Sequence, residues 1–196
     1  PWKGKWGGEV DHGWRQGDPD QTTAVKRLGE LADAGTPPAE RLFGEGDHLR
    51  PSFVQPYRCR RVLIEGVTIV NAPMWILNPV LCESATIRGV TVNSHGPNND
   101  GCDPEACKDV LIEDTVFDTG DDCIAVKSGR NADGRRLARP SENIVIRGCT
   151  MKDGHGVHSE NIPGTFRPAA NKDNDYLIDR EAQKRGETYS GVKGIA

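Results

Sequence analysis

Four short segments of this chain repeat one pattern, and the repeat limits the possible folds more than any other feature. They are Val62-Leu63-Ile64-Glu65-Gly66-Val67-Thr68-Ile69, Ala85-Thr86-Ile87-Arg88-Gly89-Val90-Thr91-Val92, Val110-Leu111-Ile112-Glu113-Asp114-Thr115-Val116-Phe117 and Ile144-Val145-Ile146-Arg147-Gly148-Cys149-Thr150-Met151. Each is a short run of alternating apolar residues, a charge, a small turn residue and a second short run. Aligned on Ile64, Ile87, Ile112 and Ile146, the steps are 23, 25 and 34 residues. The longest step holds an extra loop, Arg130 to Pro140. A period this short leaves no room for a crossover helix between strands, which excludes βαβ units.

The period fits a right-handed parallel β-helix, in which each coil is three short strands joined by turns. Cys59, Cys82 and Cys107 each lie five residues before the aligned isoleucine, which predicts a stacked column of interior thiols. Three unrelated buried cysteines are the alternative. The 23 glycines and 13 prolines demand frequent turning and argue against a helical bundle. The fold class is therefore all-β, an incomplete right-handed parallel β-helix of few coils with irregular ends. Residues 1–57 form an irregular N-terminal segment. Within it, Ala24, Val25, Leu28, Leu31 and Ala32 have helical spacing, with Asp20 as a possible cap, and Gly35 to Arg50 reads as loop. Residues 58–156 form the coils. Residues 157–196 form a tail without the repeat, in which Asn171 to Arg185 reads as loop or short helix. Stacked repeats bury their edges only against neighbours, so the ends of such a stack are expected to be exposed.

A net charge of -4 gives no bulk attraction to nucleic acid or anionic lipid. No apolar run approaches the ~18 residues of a membrane span. Neither nucleic acid nor membrane is therefore expected as a partner. The chain opens at Pro1 without a signal-peptide pattern, as expected of a processed chain or an internal piece of a longer one. The six cysteines include no CxxC and no zinc-spaced Cys/His set.

Three aspartates fall in polar turns between the repeats. Asp100 sits in Pro97-Asn98-Asn99-Asp100-Gly101, and Asp121 and Asp122 sit in Thr119-Gly120-Asp121-Asp122-Cys123. Asp100 and Asp122 are one coil apart, and coils stack ~4.8 Å apart, so their side chains can be neighbours on one face. On a regular strand Asp121 and Asp122 would point to opposite faces, so both reach one cleft only if Gly120 bends the chain. His155 follows Ile146 by nine residues, as Asp121 follows Ile112, which places it one coil further along. Carboxylates this close push at least one pKa up, and a protonated carboxyl beside ionised ones is the pairing that glycoside hydrolysis needs. Turn chemistry alone also accounts for Asn98-Asn99-Asp100 and Gly120-Asp121-Asp122. The basic run Lys127, Arg130, Arg135, Arg136 and Arg139 is either a solvated loop or a feature suited to an anionic substrate.

The segments Ser94-His95-Gly96-Pro97-Asn98-Asn99-Asp100-Gly101-Cys102-Asp103-Pro104, Thr119-Gly120-Asp121-Asp122-Cys123-Ile124-Ala125-Val126-Lys127-Ser128-Gly129 and Gly154-His155-Gly156 resemble glycoside hydrolase family 28, the polygalacturonases. Leu49-Arg50-Pro51-Ser52-Phe53-Val54-Gln55-Pro56 resembles bacterial members. The resemblance covers about residues 1–156. It implies a parallel β-helix that hydrolyses α-1,4-galacturonan with inversion, as a secreted or periplasmic monomer, without metal or other cofactor. It makes Asp121 the general acid, gives Asp100 and Asp122 the attacking water, and lets His155 support the acid. Asn98, Asp103 and Lys127 would serve substrate binding. The Arg-Ile-Lys triplet with which the family grips the uronate carboxylate occurs nowhere in this chain. The alternatives are a non-catalytic β-helix that binds pectin and a pectate lyase-like β-helix. The tail, in Asn161 to Pro168, Asn171 to Arg180 and Tyr189 to Ala196, resembles phthalate-type Rieske ring-hydroxylating oxygenases, as a junction near Val157 would produce. It carries neither a Rieske Cys/His cluster nor an iron triad.

Overall fold

In a computed structural model the described residues are 20–159, with the short segments 167–168, 176–177 and 192–195. Helix α1 (Thr22–Asp33) opens the described chain and buries Ala24 and Ala32. Gln21 takes the N-cap position without a side-chain cap bond; Asp20, the expected cap, stands one residue earlier, where its carboxylate accepts from the Thr22 amide at 2.8 Å. The following segment is loop, as its prolines and glycines require, apart from one short 3-10 turn at Pro38–Glu40.

The coils then begin. The first carries β1 (Arg60–Glu65) and β2 (Thr68–Val70), the second β3 (Glu83–Arg88) and β4 (Thr91–Ser94), the third β5 (Lys108–Glu113) and β6 (Val116–Thr119). The rest of the path is β7 (Ile124–Val126), α2 (Asn131–Leu137), β8 (Ser141–Arg147), β9 (Thr150–Met151) and β10 (Val157–Ser159). Strands β1, β3, β5 and β8 pair in parallel with Ile64, Ile87, Ile112 and Ile146 in one register column. Strands β2, β4, β6 and β9 form a second parallel sheet. Single parallel bridges link Val54, Leu77, Cys102 and Ile124, and β10 pairs with β7. Three ladders of parallel pairing thus surround one core, which is a stack of β-helical coils. Two helices dock beside it, so the chain is mostly β rather than all-β.

The repeat's turn residue has a clear cause. Gly66, Gly89, Asp114 and Gly148, which follow the four strands of the first sheet, all adopt φ between 49° and 65°. Glycine takes this left-handed conformation without steric cost, and aspartate tolerates it. The interior columns are filled by Ile87, Ile112, Val92, Phe117, Leu77 and Ile124, all fully buried.

The thiol column forms with graded burial. Cys82 and Cys107 are buried, and the Cys82 amide donates to Cys107 Sγ at 3.3 Å. Cys59 keeps its place in the ladder but is exposed, since no described coil covers it. The next position is Ser141, whose Oγ accepts from the Cys107 amide at 3.1 Å. The same offset of five before Ile146 identifies Ser141 in the sequence. The first coil also exposes Phe53, Tyr57, Leu63 and Val70, as an end coil must.

The extra loop in the longest step folds into α2 instead. The Arg41 guanidinium grips the Asp133 carboxylate with both nitrogens, Nη2 to Oδ1 at 2.9 Å, and Arg136 donates to the Ala32 carbonyl of α1. These contacts between residues about a hundred positions apart are invisible to local periodicity. Beyond β10, three more strands are described: β11 (Arg167–Pro168), β12 (Tyr176–Leu177) and β13 (Val192–Ile195). β11 and β12 pair antiparallel, while β13 pairs parallel with β8, Ile195 opposite Ile144. Most of the tail expected to lack the repeat lies outside the described residues. Among the described residues, no helix is long and apolar enough to cross a membrane.

Replacing Ile112 by alanine is expected to cost about 2–5 kcal/mol, as for other fully buried isoleucines. Ile64→Ala should cost clearly less, because Ile64 is only partly buried in the end coil. Urea denaturation of both variants checks this ordering.

Candidate active site

The parallel bridges fix the site. Because Leu77, Cys102 and Ile124 stand in one column, so do the residues two positions earlier: Trp75, Asp100 and Asp122. The pairing of Val157 with Ile124 adds His155 to the same column. Sequence spacing placed His155 opposite Asp121, and the observed register shifts it by one residue, to Asp122. The imidazole nevertheless meets both carboxylates. His155 Nδ1 lies 3.3 Å from Asp121 Oδ1 and 3.5 Å from Asp122 Oδ1.

Asp121 and Asp122 converge because β6 ends at Thr119 and the chain turns a corner there. Gly120 is needed at this corner, though not for left-handed freedom. A Cβ on Gly120 would lie 2.5 Å from the Gly96 carbonyl of the preceding coil. The corner is pinned by the Asp121 carbonyl, which accepts from Thr119 Oγ1 at 2.9 Å and from the His155 amide at 3.1 Å.

Asp100 is held differently. Asn99 points inward and is fully buried; its Oδ1 accepts from Ser94 Oγ and the Gly96 amide, and its Nδ2 donates to the Ala72 and Met74 carbonyls. This ties the Asp100 loop to the coil beneath it. Lys127, 2% exposed, places its ammonium 3.5 Å from Asp100 Oδ2, 3.7 Å from Asp103 Oδ2 and 4.4 Å from the centroid of the Trp75 ring. Lys127, Asp103 and Asp100, the last 3% exposed, thus form one buried charge cluster. Asn98 is half-exposed with φ 54°, and its Oδ1 accepts from the Arg50 guanidinium. Of the remaining basic run, Arg136 and Arg139 are engaged in ion pairs, to Asp133 and Glu83.

Burial pushes the Asp122 carboxyl above the ordinary aspartate range. The Asp121 charge pushes the same way, while His158, Lys127 and His155 oppose it. The cluster therefore offers carboxyls in unlike environments within reach of one another, which is what acid and base roles at one pH require. The three ligating atoms of Asp121, Asp122 and His155 lie within 4.8 Å of one another, as do those of His95, Asp118 and Asp153. No further feature of either cluster points to a cation. Arg50, Trp75 and Asn99 were not among the site residues read from the sequence. The repeat offset of 25 that relates Ile87 to Ile112 also relates Trp75 to Asp100, so that one signal was present. Arg50 lies in the segment Leu49 to Pro56 that carried the resemblance to bacterial members, but it precedes the first repeat, so spacing gave it no place at the site.

Stacked parallel coils bring carboxylates and a histidine together on one face, an arrangement suited to glycoside hydrolysis. Comparison with known proteins agrees. The model of the family described as "Glycosyl hydrolases family 28" matches residues 43–159. A probable polygalacturonase of Vitis vinifera is 34% identical over 55% of this chain and 22% of its own length. A probable polygalacturonase of Arabidopsis thaliana is 30% identical over 80% of this chain and 31% of its own. The crystal structure of a hyperthermoactive exopolygalacturonase from Thermotoga maritima is 48% identical, with a TM-score of 0.64 over 76% of this chain and 37% of that one. Over most of its length the chain belongs to glycoside hydrolase family 28, the polygalacturonases. It spans about a fifth to a third of the length of the two plant relatives. The resemblance of the tail to ring-hydroxylating oxygenases finds no support in these comparisons, and the family match stops at residue 159.

The raised Asp122 pKa sets a sign for stability. The folded state holds this proton more tightly than the unfolded state does. Asp122 therefore favours folding most when protonated, and that contribution is lost as pH rises through the folded-state pKa. Asp122→Asn should thus gain stability relative to the unmodified protein at about pH 7, and gain less or nothing at about pH 4. Urea midpoints at the two pH values measure the difference; equal differences would contradict it.

Proposed function

We propose that the protein hydrolyses α-1,4-galacturonosyl linkages of pectin or polygalacturonan with inversion. The carrying observation is the convergence of Asp121, Asp122 and His155, with Asp100 in the next coil of the same column as Asp122. In this reading Asp121, the more exposed of the adjacent pair, protonates the glycosidic oxygen. Asp100 and Asp122 orient and deprotonate the water, and His155 supports Asp121 through its 3.3 Å contact. Asn98 and the groups behind Asp100 shape the subsite. Inverting glycosidases ordinarily hold acid and base about 6.5–9.5 Å apart. Asp121 and Asp122 stand closer, with oxygens within 4.8 Å of each other, so inversion here rests on the family resemblance and not on this spacing. We take the coils to wind right-handed, as parallel crossovers favour, and the protein to act outside the cytoplasm as a monomer on its pectic substrate. The absence of an Arg-Ile-Lys triplet from the 196 residues leaves the uronate with fewer cationic contacts, so turnover by this chain should be low.

Burial of Asp122 favours a second reading, in which Asp122 is the acid and Asp121 serves the water, because a raised pKa is the mark of a general acid at neutral pH.

Polygalacturonate should yield reducing ends without an unsaturated product; an unsaturated product would indicate a lyase. Asp121→Asn and Asp122→Asn should each lower kcat by about a hundredfold or more. A galacturonide with an activated leaving group needs no acid. It should restore turnover to Asp121→Asn under the first reading and to Asp122→Asn under the second. Restoration of neither, in folded variants, would contradict both assignments.

A further inference from the structure

Arg50 lies outside every motif that carries the chemistry, yet it is 8% exposed and reaches into the carboxylate face. Its backbone amide donates to Gln21 Oε1 at the start of α1, which anchors it from behind. Its guanidinium spans two coils. Nη1 donates to the Pro97 carbonyl at 2.7 Å and to the Pro73 carbonyl at 3.3 Å, and Nη2 donates to Asn98 Oδ1. A charge that has left water is expensive to keep, and burial lowers this guanidinium's pKa to about 10 against the opposing pull of Asp100. An arginine buried at such cost is retained where its planar fork does something a neutral side chain cannot. Here the fork closes on both the main chain and the side chain of the Pro97-Asn98 turn, immediately before Asp100. Asn98 stands in the left-handed conformation, which a free loop would leave readily.

We propose that Arg50 is a positioning residue for the glycosidase site: it holds the Pro97–Asn98 turn, and through it Asp100, in the geometry the attacking water needs. Asn99 ties this loop from within the core, and Arg50 ties it from two coils before. The catalytic part of this inference rests on the hydrolase reading; the clamping part does not.

Two variants of the 196-residue protein test it, Arg50→Gln and Arg50→Lys. In Arg50→Gln the fork and the charge are lost, and a displacement of about 1 Å is enough to lower kcat on polygalacturonate by up to about a hundredfold, with KM changed far less. Amide exchange should quicken over residues 96–101 and stay unchanged over β3 and β5. Arg50→Lys, which keeps the charge and one donor, should recover part of kcat and part of the protection. Unchanged exchange over 96–101 in Arg50→Gln would overturn the inference. So would equal quickening in β3 and β5, which would mark a general loss of stability, or a fall in kcat that lysine does nothing to reverse. If the unmodified protein shows no turnover, the hydrolase reading fails, and the exchange pattern alone decides whether Arg50 clamps the loop.

Discussion

Everything at the carboxylate face depends on the parallel register between coils. Ile64, Ile87, Ile112 and Ile146 stand in one column because each strand of the first sheet accepts its neighbour at a fixed offset. A slip of one residue would send every apolar side chain to solvent and every polar one inward, which burial forbids. The cost of that slip holds the turns as firmly as the strands. Asp100, Asp122 and His155 are on turns and short strand ends, yet they share a column because Leu77, Cys102, Ile124 and Val157 do. Loops are ordinarily poor platforms for chemistry. Here each turn is fastened to a neighbouring coil by buried polar groups, as Asn99 and Lys127 show.

Glycines at the corners serve the same end by leaving space. At Gly120 a side chain would strike the main chain of the preceding coil, and at Gly154 it would strike Thr119 Oγ1 and the Asp121 carbonyl. Coils ~4.8 Å apart leave no room for a Cβ where two turns cross. The motif glycines thus set how closely Asp121 and His155 approach.

The stacked coils and the four-isoleucine register were legible because each coil repeats one local pattern, and local patterns survive in sequence. The convergence of Asp121, Asp122 and His155 was legible from the same offsets, with a one-residue error in the partner of His155. That error arose because the turn between β9 and β10 is shorter by one residue than the corresponding turn of the coil before it, which counting from Ile146 does not reveal. Helix α2 was read as loop because its partners, Arg41 and Ala32, are distant in sequence. The role of Arg50 was illegible for the same reason: it depends on Pro73 and on the Pro97-Asn98 turn, which meet Arg50 only after folding. Burial also singled out Asp122 rather than Asp121 as the carboxyl with the raised pKa, a distinction between neighbouring residues that spacing cannot make.

In the proposed reaction water, directed by a carboxylate, attacks the anomeric carbon from the face opposite the departing oxygen. Proton NMR of an oligogalacturonide digest, recorded before mutarotation equilibrates the new reducing end, tests it most directly. Inversion predicts that the β-anomer appears first from the α-linked substrate. First appearance of the α-anomer, an unsaturated product, or no turnover at all would contradict it.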